Sequence, residues 1–105
     1  VSRRHPDLVW IRELRRSGSR RRADAVVVVE GPTSVGEALE AGAAPRLVVA
    51  SLDAAAATTT LVQRCAAAGA TSRWVPADVL GSVGDTRTPH DVVAVFAFAC
   101  ATEPT

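Results

Sequence analysis

Four consecutive valines, Val26, Val27, Val28 and Val29, run into Glu30-Gly31-Pro32, and an amphipathic pattern starts immediately behind them. β-branched side chains stiffen the chain and suit a strand. The lack of polar alternation predicts a strand covered on both faces, as in a parallel or mixed sheet. The stretch therefore reads as a strand over 24–30, a tight turn, and a helix over 32–41. Within that helix Val35, Ala38 and Leu39 form the apolar stripe and Gly42 is the stop. Ser34 and Glu37 have capping-box spacing, with Thr33 and Gly31 as alternative caps. Arg20, Arg21 and Arg22 precede the strand, and a helix N-terminus beside a basic cluster is a natural place to hold phosphate.

The same patterning continues on both sides. Residues 6–17 read as a helix with Pro6 in its first turn, Leu8, Ile11 and Leu14 on one stripe, Trp10 at its edge, and Arg12 and Arg16 projecting elsewhere. Ser17-Gly18-Ser19 reads as a flexible joint. A second strand is expected over 46–51. A helix capped by Asp53 follows to about residue 68, with Leu61, Val62 and Cys65 inward and Gly69 at its end. A short strand is expected over 72–75, a helical turn over 77–82, a loop over 83–91 and a last apolar strand over 92–99. Strands alternating with helices predict an α/β fold, one sheet with helices on both faces.

The chain has 105 residues, enough for one domain with a core of its own. Its apolar runs are too short to cross a bilayer, and the N-terminus lacks the apolar block of a signal peptide. Cys65 and Cys100 stand alone in alanine-rich contexts and read as small buried thiols, with a disulfide as the alternative; free thiols fit a reducing cytoplasm.

Charge is unevenly spread. Residues 1–22 carry eight arginines against Asp7 and Glu13, a net +6; residues 23–105 carry four arginines against nine acids, a net −5. Such asymmetry points to a polyanion partner, and arginine's planar fork suits phosphate. The absence of lysine reads equally as genomic base composition. The candidate phosphate-contacting residues are Arg3, Arg4, Arg12, Arg16, Arg20, Arg21 and Arg22, against the alternative of a solvated helix face. Glu30 either pairs with a nearby arginine and orients its fork, or caps the helix behind it. Trp10 and Trp74 are candidates for stacking on bases or for the core. No phosphate-loop or dinucleotide motif, nucleophile elbow or metal-ligand spacing occurs, and His90-Asp91 reads as loop rather than as a catalytic pair.

Two motifs together carry a family likeness. Val26 to Gly42, VVVVEGPTSVGEALEAG, and Val83 to Val95, VGDTRTPHDVVAV, with the basic helix before them, resemble the N-terminal substrate-binding domain of SpoU-type (TrmH-like) RNA ribose 2′-O-methyltransferases. In that family the late loop reads Ser-Asp-Thr-x-Thr-Pro-Gln-Gly; Thr86, Thr88 and Pro89 match, while His90-Asp91 replaces Gln-Gly. The resemblance covers nearly the whole chain. It implies a three-layer α/β/α sandwich with a mixed four-stranded sheet, like ribosomal proteins that bind kinked RNA. It implies recognition of rRNA or tRNA, with the Glu30-Gly31 turn and Thr88 added to the contact surface. It assigns residues 1–101 to this domain and 102–105 to the start of a linker. The knotted domain that binds S-adenosylmethionine and forms the homodimer would follow the linker. This chain alone is then expected to hold no cofactor or metal and to catalyse nothing. A free-standing ribosomal-type RNA-binding module and a protein-docking domain are the alternatives.

Overall fold

A computed structural model of the protein describes residues 4–83 and 90–97. The elements run α1 (Pro6–Arg16), α2 (Gly18–Asp24), β1 (Val26–Glu30), α3 (Pro32–Glu40), β2 (Pro45–Ser51), α4 (Ala56–Ala67), β3 (Thr71–Val75), α5 (Ala77–Gly81) and β4 (Val92–Ala97). The four strands form one sheet in the order β1-β4-β2-β3. β4 pairs antiparallel with both β1 and β2, while β2 and β3 are parallel. The sheet is thus mixed, as expected, and β1, β2 and β3 all end on the same side as β4 begins.

Side chains alternate across the sheet as the pleat requires. Leu47, Val49, Val93 and Val95 meet Leu8, Ile11 and Leu14 of α1 and Val79 and Leu80 of α5 in one core. Val48, Ala50, Val92, Ala94 and Phe96 meet Val35 of α3 and Leu61, Val62 and Cys65 of α4 in the other. Two apolar layers between three structural layers make the α/β/α sandwich. Burying each large aliphatic side chain contributes about 1.5–3 kcal/mol, so β4, buried from Val92 to Phe96, is the spine of the domain. The continuous-valine argument applies to β4 better than to β1. β1 lies at the sheet edge, and only Val26 of its four valines is fully buried. Among the described residues no helix is long and apolar enough to cross a membrane.

Two local expectations are corrected. The joint at Ser17-Gly18-Ser19 is a helix start, with Gly18 and Ser19 already in α2. Ser17 adopts an extended conformation, ends α1, and accepts the N–H of Arg20 at 3.1 Å through its hydroxyl, so it caps α2. The arginines that follow are good helix formers, Arg20 pairs with Asp24 one turn on at 2.8 Å, and Ala25 closes the helix in the left-handed region at φ 57°. The second correction concerns α4. Asp53 does not cap it; its carboxylate meets the Ser51 hydroxyl instead. The N-cap position is Ala55, which has no capping side chain of its own. Asp91, at the foot of β4, substitutes: its Oδ2 accepts the Ala55 N–H at 3.2 Å and the Thr58 hydroxyl at 2.9 Å. Thr58 is buried and anchors the helix start through that bond.

Candidate functional site

The basic surface is built where α1 and α2 lie over β1. The apolar stripe of α1 faces the sheet and leaves its arginines at the rim. Arg12 donates from Nη1 to Ser82 Oγ at 3.1 Å, and that hydroxyl donates onward to the Val79 carbonyl at 2.6 Å. Arg15 closes an ion pair with Glu30 at the end of β1, and the Glu30 side chain is only 14% exposed. Of the two roles open to Glu30, the pairing with an arginine is the one observed; α3 has Gly31 at its N-cap and no side-chain cap. Arg21 reaches back from α2 and donates to the carbonyls of Leu14 and Arg15, satisfying the C-terminal end of α1. Three guanidinium groups are thereby fixed by partners within the fold.

Two open depressions flank Arg15. One, about 260 Å³, is lined by Arg12, Arg15, Arg16, Ser82 and Val83. The other, about 230 Å³, is lined by Arg15, Arg21, Val27 and Val28. A guanidinium held at the rim of a depression can bind an oxyanion by its edge and a planar ring by its face. Such an arrangement binds; the described depressions hold no nucleophile paired with a base. Among the described residues no group of three or more potential metal ligands occurs.

The other arginines divide. Arg20 is held by Glu13 at 2.6 Å and by Asp24 at 2.8 Å. Asp24 also accepts the Trp10 indole N–H at 2.7 Å. This indole bond, reinforced by Arg20, holds the Asp24 carboxyl below its ordinary range, and Asp24 in turn raises the Arg20 guanidinium. Trp10 therefore serves the fold, packed at the edge of the α1 core, and Trp74 packs partly against the opposite core. Arg16 and Arg22 are exposed. Arg4 is exposed at the entry to α1. Arg3 and Thr88, with Thr86, Pro89, Cys100 and the 102–105 segment, lie outside the described residues.

Arg15 is the residue that sequence reasoning missed. It sits four residues after Ile11, on the flank of the apolar stripe, and so reads as an edge position rather than as part of the Arg12/Arg16 face. A basic residue in the last turn of a helix, followed by a strand that ends on an acid, was the available signal.

The turn itself is tightly specified. Gly31 has φ 90°, and a Cβ placed on it would lie 2.9 Å from the His90 Nδ1. Its N–H donates to the Val92 carbonyl at 2.9 Å. His90 thus lies over the turn at the N-terminus of α3, and Asp91 anchors α4, so the two residues ahead of β4 reach two helix starts.

The model of the family described as MRM3-like substrate binding domain matches residues 8–94. No curated protein matches the chain, but solved structures do. An rRNA methyltransferase from Sinorhizobium meliloti is similar with a TM-score of 0.76 and 23% identity, over 91% of this chain and 35% of that one. A structure described as an RNA 2′-O ribose methyltransferase is similar with a TM-score of 0.78 and 17% identity, over 99% of this chain and 39% of that one. The SpoU methyltransferase AviRb from Streptomyces viridochromogenes, solved with AdoMet, is similar with a TM-score of 0.71 and 17% identity, over 89% of this chain and 33% of that one. At these identities the likeness is one of fold. The chain spans roughly a third of the length of the structures it matches.

Proposed function

The chain belongs to the MRM3-like substrate-binding domain family, and on that premise we propose that it is the RNA-recognition domain of an S-adenosylmethionine-dependent RNA ribose 2′-O-methyltransferase. The single observation that supports RNA as the substrate is the line of fixed guanidinium groups, Arg12, Arg15 and Arg21, over two open depressions. Phosphodiester backbone matches them in charge and geometry. rRNA is favoured over tRNA by the similar S. meliloti protein, whose description names rRNA.

The role proposed for this domain is capture. Arg12, Arg15, Arg16 and Arg21 hold the strand by its phosphates, and the Glu30-Gly31-Pro32 turn sets the direction of Arg15. Arg4, Arg22, Arg3 and Thr88 extend the contact surface in the same proposal. Arg20 contributes indirectly, by holding α2 against α1 through Glu13 and Asp24.

S-adenosylmethionine would supply the methyl group in the parent enzyme. The described depressions do not fit it: the cofactor carries a positive sulfonium, and arginines line both. Methyl transfer and dimerisation are therefore assigned, within this proposal, to a catalytic region outside residues 1–105. The test is crosslinking of the parent protein to total cellular RNA, followed by sequencing of the bound fragments. Enrichment of discrete rRNA segments, lost when Arg12, Arg15 and Arg16 are replaced by alanine, is the expected result. Uniform background, or enrichment indifferent to those arginines, contradicts the reading. Calorimetric titration of residues 1–105 with S-adenosylmethionine is expected to show no binding.

A further inference from the structure

We propose that the two depressions flanking Arg15 are adjacent subsites for two consecutive unpaired nucleotides of an RNA strand, with the phosphodiester between them seated on Arg15. This deepens, and rests on, the reading of the domain as an RNA binder.

The argument begins with what the depressions share. Arg15 lines both, so a ligand spanning the pair meets a guanidinium at its middle, and an anion there would share Arg15 with Glu30. The similar volumes, about 260 and 230 Å³, call for two ligand parts of like size. Both fall below the roughly 300–1,000 Å³ of a typical small-molecule pocket, as suits a single ring system with its sugar left outside. Each depression also sets a guanidinium over apolar side chains: Val27 and Val28, half-buried, beside Arg21 in one, and Arg12 above the buried Val83 in the other, where the apolar surface open to a base is that of the arginine stems. Nucleobases have apolar faces and polar edges, and they stack on arginine planes. Two bases joined by one phosphodiester reproduce the pattern ring, anion, ring.

Pairing state follows from shape. Bases within a duplex are stacked and edge-paired, so neither can enter a depression without leaving the helix. Unpaired nucleotides in a bulge or loop have already left it. The site is also set before binding: Glu30 holds Arg15, Ser82 holds Arg12 and the Leu14 carbonyl holds Arg21. Guanidinium groups fixed in advance lose little freedom on contact.

The test compares two RNA hairpins of equal length and phosphate count, one fully paired and one with a two-nucleotide bulge, by fluorescence anisotropy at a fixed salt concentration. The site predicts that the bulged RNA binds about thirtyfold tighter or more, the preference expected when two bases each gain at least the lower end of the stacking contribution. Removing both bulged bases while keeping the backbone should return affinity to that of the paired hairpin. Arg15→Gln should abolish the preference, whereas Arg64→Gln, a change on α4 against the other core, should leave it intact. Equal binding of the two hairpins by the unaltered protein overturns the subsites while leaving the RNA reading standing. Loss of the preference in Arg64→Gln to the same degree overturns them too. Failure to bind either hairpin at low salt overturns both this inference and the proposed function.

Discussion

The Arg15 guanidinium pairs with the Glu30 carboxylate, and the pair joins the last turn of α1 to the end of β1. It serves packing and orientation at once. Arg15 is exposed enough to meet a ligand, while Glu30 is largely covered. Replacing Glu30 by Gln should keep the shape and remove the charge. The expected loss of stability is about 1 kcal/mol, small because one partner faces solvent. RNA affinity should fall as well, although the domain becomes more positive by one charge. A rise in affinity on Glu30→Gln, measured by anisotropy, would show that Glu30 only repels the ligand.

Gly31 is fixed by backbone and by a neighbour. Gly31→Ala places a side chain at φ 90° and 2.9 Å from the His90 ring. Strain of this kind costs on the order of 1–3 kcal/mol. His90→Ala in the same background should recover the part due to the clash and leave the part due to φ. Urea midpoints of the two single variants and the double variant separate the contributions.

Asp91 stands in for a missing cap. Asp91→Ala removes the acceptor for the Ala55 N–H and the Thr58 hydroxyl. The expected loss is about 0.5–2 kcal/mol, the range of an N-cap deletion. Thr58→Val should lose less in the Asp91→Ala background than alone, because the two share one bond. Additive losses in the double-mutant cycle would mean the residues act separately.

Asp24 makes acid stability measurable. Its carboxyl is held below its ordinary value by the Trp10 indole and by Arg20. A carboxylate with a depressed pKa stabilises the fold above its unfolded value, near pH 4, and that contribution is lost as pH falls through the lower folded value. Trp10 emission should therefore hold steady down to about pH 4 and change below it, as the indole loses its acceptor. In Asp24→Asn that acid transition should be absent. A Trp10 transition between pH 5 and 7 would contradict the assignment.

Most of the fold was legible because it rests on apolar periodicity. Leu8, Ile11 and Leu14, like Leu61, Val62 and Cys65, have spacings that only one helix face satisfies, and all are buried. The features that were not legible depend on partners far away in sequence. Asp53 has the local credentials of a cap, but Asp91 does the capping from 36 residues away at Ala55. Ser17-Gly18-Ser19 has joint composition, yet one serine hydroxyl and the Arg20–Asp24 pair make it a helix start. Within the candidate site, the count of arginines was evident but their division was not. Composition treats Arg15, Arg16 and Arg20 alike; only the tertiary placement of Glu13, Asp24 and Glu30 separates those bound within the fold from those facing solvent.

The central claim is that the guanidinium groups beside β1 hold RNA phosphates. Its most direct test is the affinity of residues 1–105 for a bulged RNA hairpin across a salt series, with and without Arg12, Arg15 and Arg16. The logarithm of affinity should fall linearly with the logarithm of salt, and removing three phosphate contacts should flatten the slope by about 2, from roughly 0.7 per contact on single strands. A slope unchanged by the triple alanine replacement, in a protein that still folds, would contradict the claim.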